Sequence, residues 1–224
     1  MNKLLTAAVA AGALAFSASA ALAVPITPSP TLTSAGNTFD TFGCNVLFGG
    51  AIAQPTNCNQ IDVSATGGNL TIQSGFVAGL NSFDDALLTY HVHSDAGIDA
   101  IDLSFNGSFL GLAVTGVTEI VRTGPGQFAP IVGALTVSCS TGLPCDLQDP
   151  AFETPPDIPL TGTFKDLWIT KDIVVAAGIG TGTISVIGQS FHQVPEPASM
   201  AIFGSALVGI GLLRRRRKGR KQTS

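Results

Sequence analysis

Positive charge is what this 224-residue chain lacks over most of its length. Of its 11 lysines and arginines, Lys3 lies at the start and seven lie between Arg214 and Lys221. Only Arg122, Lys165 and Lys171 remain between Val24 and Gln193, against 14 of the 15 acids. That span carries a net charge of −11 and the tail +7, so the overall −4 averages unlike pieces. A segment this poor in bases has nothing to neutralise phosphates with, which excludes nucleic-acid binding.

Other absences narrow the chemistry. There is no Cys-x-x-Cys pair, which argues against a zinc site built on the four cysteines. There is no His-Glu-x-x-His helix and no Gly-x-Ser-x-Gly elbow. The twelve-residue Asp-x-Asp-x-Asp-Gly calcium loop is missing too. Three histidines and many serines nominate no triad, and 14 acids nominate no particular pair for glycoside hydrolysis. We therefore assign no catalytic residue, and expect a protein that is not an enzyme. Helical periodicity is rare, and no fixed repeat period supports a β-helix.

What is present is alternation. Leu70 and Ile72 alternate with Thr71 and Gln73; Leu88, Tyr90 and Val92 with Thr89, His91 and His93. Ile101, Leu103 and Phe105 alternate with Asp102, Ser104 and Asn106, and Ile184 and Val186 with Ser185. Period two means one face inward and one outward, the pattern of half-buried strands. Asn106-Gly107 reads as a hairpin turn. Gly178-Ile179-Gly180-Thr181-Gly182 lacks the βαβ setting of a phosphate loop and reads as a turn or bulge. Val24–Thr33 and Asp149–Pro159 are Pro-rich and read as a leader and a long loop. Together these predict an all-β fold, an antiparallel β-sandwich over residues 24–193.

The two ends read as addresses. Residues 1–23 have the parts of a signal peptide: Lys3, an apolar run from Leu4 to Phe16, and small-residue sites Ala18-Ser19-Ala20 and Ala21-Leu22-Ala23. Cleavage is expected after Ala23. At the other end, Ala198 to Leu213 is 16 uncharged residues. As a helix this is about 24 Å, somewhat short of the roughly 30 Å hydrocarbon core. Thinning and snorkelling arginines close such a gap. Arg214, Arg215, Arg216 and Arg217 would stay cytoplasmic by the positive-inside rule. We expect one transmembrane helix over 198–213, the Arg cluster over 214–218 and a tail over 219–224.

Pro195-Glu196-Pro197, a short apolar helix, an arginine cluster and then the chain end resembles the PEP-CTERM sorting signal of Gram-negative bacteria. The resemblance covers residues 194–218, with the motif itself at 194–197. It implies recognition by an exosortase, a membrane-embedded cysteine transpeptidase-like enzyme, after signal peptidase has acted at the N-terminus. It also implies an inner-membrane precursor that ends at the cell surface or outside, and an association with exopolysaccharide and biofilm. Two prolines deny the segment a helix and hold Glu196 in extended backbone, open to recognition.

In the oxidising exported space four cysteines favour disulfides. Proximity pairs Cys44 with Cys58 and Cys139 with Cys145, one of three connectivities. Closing the 15-residue first loop would contribute about 3 kcal/mol.

Two sets of candidate metal ligands stand out. His91 and His93, at i and i+2, share one face of a strand and would suit a transition metal, with Asp84, Asp85 and Asp95 flanking. Asp95, Asp99 and Asp102 would suit calcium, held weakly. The plainer reading of both, a solvated polar face and a charged loop, is preferred, and no cofactor is expected. We read the chain as an exported surface or matrix protein with a structural or binding role in extracellular polysaccharide. The alternatives are an envelope hydrolase and a permanently anchored single-pass protein.

Overall fold

The computed structural model describes residues 22–141 and 158–194, together with Ser205. Nine strands form: β1 (Val24–Pro25), β2 (Leu32–Ser34), β3 (Asn37–Gly49), β4 (Ala53–Gln54), β5 (Asp62–Thr66), β6 (Asn69–Ala78), β7 (Ser82–Arg122), β8 (Ile131–Ser140) and β9 (Ile158–Gln193). Every pairing is antiparallel. The fold is all-β, as the alternation predicts.

Two strands are long enough to serve twice. In one layer, residues 166–177 of β9 lie between the two ends of β7, pairing with 82–93 on one edge and 113–122 on the other. β3 and then β2 extend this layer on one side and β8 on the other. In the second layer, residues 179–193 of β9 pair with 98–112 of β7 and, on the opposite edge, with β6. β5 and β1 continue outward from β6, and β4 also pairs with β6. One sheet is thus folded over on itself, with the long β7/β9 ribbon running through both layers.

The fold-over falls where Gly111 (φ 71°) meets Gly180 (φ 145°). A Cβ on Gly180 would sit 1.8 Å from the Leu110 carbonyl oxygen, and one on Gly111 would sit 2.3 Å from that of Ile179. Only glycine fits both positions, because the two backbones touch where a side chain would project. Gly178 is skipped in the register between Leu112 and Ala113. The glycine-rich stretch is therefore a bulged corner.

Alternation then fills one core. From the first layer it takes Phe39, Leu88, Tyr90, Val92, Val117, Ile169 and Ile173; from the second, Leu70, Ile72, Phe76, Leu103, Ile184 and Ile187. Phe39 meets Phe191 across the layers at 5.5 Å between ring centres. The Cys44–Cys58 disulfide forms as expected, tying β3 to the 3-10 turn (Cys58–Gln60) that precedes β5. Cys139 is disulfide-bonded as well; Cys145 lies outside the described residues.

Three expectations are corrected. Asn106-Gly107 makes no hairpin and lies inside β7. Neither residue has the positive φ that a type I′ turn requires. Ile187, not Val186, is buried beyond Ile184. One extra β9 residue between the pairs Phe105↔Ile187 and Gly107↔Ile184 flips the face. The Pro-rich leader also contributes β1 and β2 to the sheet edges.

Residues 1–21 of the expected signal peptide, residues 142–157 with all of the expected Pro-rich loop but Ile158 and Pro159, which open β9, Pro195-Glu196-Pro197, the helix expected over 198–213 apart from Ser205, and Arg214 to Arg217 lie outside the described residues. Among the described residues no helix is long and apolar enough to cross a membrane.

Candidate functional site

On the outer face of the first layer, near the end where β9 finishes, the strands set five polar side chains in a row. His91 and His93 project from β7 on the same side, as i and i+2 must. Asp40 of β3 lies directly opposite His91, and Asp166 of β9 directly opposite His93. His91 Nδ1 is 2.9 Å from Asp40 Oδ1, and His91 Nε2 is 3.1 Å from Asp166 Oδ1. His93 Nδ1 is 2.8 Å from the same Asp166 oxygen, and His93 Nε2 is 3.2 Å from Asp95 Oδ1. Trp168, the neighbour of His91 across the ladder, covers its ring at 4.7 Å.

Local backbone aims Asp40. A bulge between Asp40 and Gly43 puts Thr41 at φ 54°, a strained conformation for a β-branched residue. The Thr41 hydroxyl donates to Asp40 at 2.7 Å. Partial burial pushes the Asp40 carboxyl up, but Thr41 and His91 outweigh it and hold it below its ordinary value. The His93 hydrogen bond is the main cause of the depressed Asp166 carboxyl. Asp166 and then Asp95 raise the His93 imidazole above its ordinary value.

Asp95 therefore joins the histidines. Asp99 is exposed, whereas Asp102 is buried and adds to the negative field at Glu119. Asp84 and Asp85 sit at the far end of the strand: Asp84 faces the core and Asp85 faces Asp172. Among the described residues, no three His, Cys, Asp or Glu side chains are set around a common point as metal ligands. Asp40 and Asp166 escape sequence reading, being 51 and 75 residues from His91.

The inner face holds a second cluster. Lys171 of β9 stands opposite Glu119 of β7, and both are fully buried. Lys171 Nζ donates to Glu119 Oε2 and, from the other layer, to Gln189 Oε1. Burial pushes Glu119 up and Lys171 down, each partly restrained by the other. A shallow depression lined by Leu112, Val114, Ser140, Thr141 and Ala176, among others, contains no acid or histidine.

The domain closes where the tail begins. β9 ends at Gln193, whose amide donates to the Ala35 carbonyl and Asn37 Oδ1, and the Val194 N–H bonds the Gly97 carbonyl at 3.0 Å. Residues 193–218 match the model of the PEP-CTERM protein-sorting motif, and no family is found for the ectodomain. No curated protein matches the chain. The motif implies exosortase processing and export to the cell envelope or surface.

Proposed function

We propose that the chain is an exported surface or matrix protein that acts by structure or binding within an extracellular polysaccharide layer, rather than by catalysis. One observation carries this reading: the sorting-motif match starts at residue 193, where the last strand ends. Cutting near Pro197 therefore removes no strand of the sandwich, so the released domain keeps its core and both layers. What is released is acidic, with a net charge of −11 over 24–193, suited to hydrated, cation-bridged surroundings.

Intact-mass measurement of the protein from envelope and medium tests the reading. The expected species starts at Val24 and ends close to Pro197. A mature product that retains Arg214–Lys221 would replace it with a permanently anchored protein. The matrix role is tested by co-sedimentation with the cells' own polysaccharide, and a released domain left in the supernatant would overturn it.

A further inference from the structure

Lys171 and Gln189 belong to the same strand but to opposite layers, and their side-chain ends meet between the sheets. Lys171 and Glu119 are fully buried, and Gln189 is 1% exposed. An ion pair in such a place is weak support for a fold, since apolar side chains of similar volume do as well or better. The cluster also leaves Glu119 Oε1 and the Gln189 amide nitrogen without a hydrogen bond among the described residues. Buried polar atoms are nearly always partnered, so two orphans beside one buried amine call for a chemical explanation.

The three groups stand in reacting positions. Lys171 Nζ lies 2.5 Å from Gln189 Oε1. The carboxamide carbon is one bond of about 1.23 Å further on, and so no more than about 3.7 Å from the amine. Reacting atoms poised for attack stand roughly 3–3.5 Å apart. Glu119 touches Lys171 through Oε2, and Gln189 is near enough to lower the Glu119 carboxyl. One carboxyl group thus reaches both the amine and the carboxamide.

We propose that Lys171 and Gln189 condense into an isopeptide bond between the two layers, with Glu119 carrying the protons. Burial disfavours both charges of the ion pair, so a proton passes from Nζ to the Glu119 carboxylate and frees the amine lone pair. A turn about the last Gln189 torsion, which is soft, presents the carboxamide face to the amine. The lone pair forms a bond to Gln189 Cδ, and the carbonyl π pair moves to Oε1. Glu119 gives its proton to the carboxamide nitrogen and takes one from the attacking nitrogen. The oxygen pair returns, the Cδ–Nε2 bond breaks and ammonia leaves. An ion pair and a carboxamide become a secondary amide, a neutral carboxylic acid and ammonia. Atoms and charge balance without a co-reactant, and nothing is oxidised or reduced. The product holds no ion in the core, which removes the desolvation cost of the pair. It joins positions 18 residues apart, across the Gly180 corner, and rivets one layer to the other.

The exported protein, purified from cells and reduced at its disulfides, is measured by intact mass and by peptide mapping. The expected chain is lighter than its termini require by one ammonia, and its digest contains a branched peptide joining Lys171 to Gln189. Gln189→Met, which removes the electrophile, and Glu119→Leu, which removes the proton carrier, have their full masses and no branched peptide. Melting curves establish that each variant is folded. Wild-type protein that yields Lys171 and Gln189 in separate peptides overturns the bond without recourse to any variant. A chain lighter by one water, with Lys171 joined to Glu119, overturns the assignment to Gln189. A branched peptide that persists in folded Glu119→Leu overturns the part given to Glu119.

Discussion

The strands β7 and β9 carry charge on both faces, and the two faces treat it oppositely. Outside, Asp40, His91, Asp166, His93 and Asp95 share contacts in a row that water reaches. Inside, Glu119, Lys171 and Gln189 meet shut off from the surface. The outer groups each lose little when a partner goes, because solvent replaces it. The inner groups have no replacement, and a charge left alone there carries its full desolvation cost. The same chemistry is therefore adjustable on one side of the sheet and fixed on the other. The outer row can be altered piece by piece, and the inner cluster holds the layers in place.

Breaking the inner pair is expected to have the largest effect. Glu119→Ala leaves Lys171 buried without its carboxylate and should cost roughly 3–5 kcal/mol, measured by urea denaturation. The double change Glu119→Leu with Lys171→Met removes both charges and should recover most of that loss. If the double variant is no more stable than Glu119→Ala, the pair is not what sets the cost.

Asp84 sharpens the contrast from a third position, buried with no cationic partner among the described residues. Burial raises its carboxyl to about 7, with the Asp85 backbone amide offsetting part of the rise. A raised acid contributes stability that is full below its unfolded value and is lost as pH climbs through the folded one. Wild-type stability should thus fall between pH 5 and pH 8, and Asp84→Asn should remove roughly 2–3 kcal/mol of that fall. Denaturant midpoints of the two proteins at both pH values are the check, and parallel profiles would remove Asp84 as the cause.

The smallest effect belongs to the outer row. Asp166→Asn should change stability by about 1 kcal/mol or less. A loss as large as that of Glu119→Ala would mean that the row is structural and that the contrast between faces is wrong.

Much of the fold was legible because alternation is a local signal. Leu88, Tyr90 and Val92 could be assigned inward, and His91 and His93 outward together, from neighbours alone. The bulges were not legible. An extra residue at Ser185–Val186 or at Asp40–Gly43 arises from pairing with a strand distant in sequence, and it re-aims every side chain beyond it. The site was half legible for the same reason. Spacing places the two histidines together, but only register brings in Asp40 and Asp166. Asp102 looked like a member of an acidic loop, yet it lies on β7 and is buried. The export address was the clearest part, since its recognition depends on the order of short segments and not on long-range contacts.

The long ribbon has a consequence for timing. β9 is the last of the described strands to be made, yet it lies in the interior of both layers, between the two ends of β7 in one and between β6 and β7 in the other. The first layer cannot complete its hydrogen bonding until residues up to 177 have emerged, and the second not until residue 193 has. Contacts this distant in sequence form slowly, after a large loss of chain entropy. The second layer therefore closes only as the start of the sorting motif arrives.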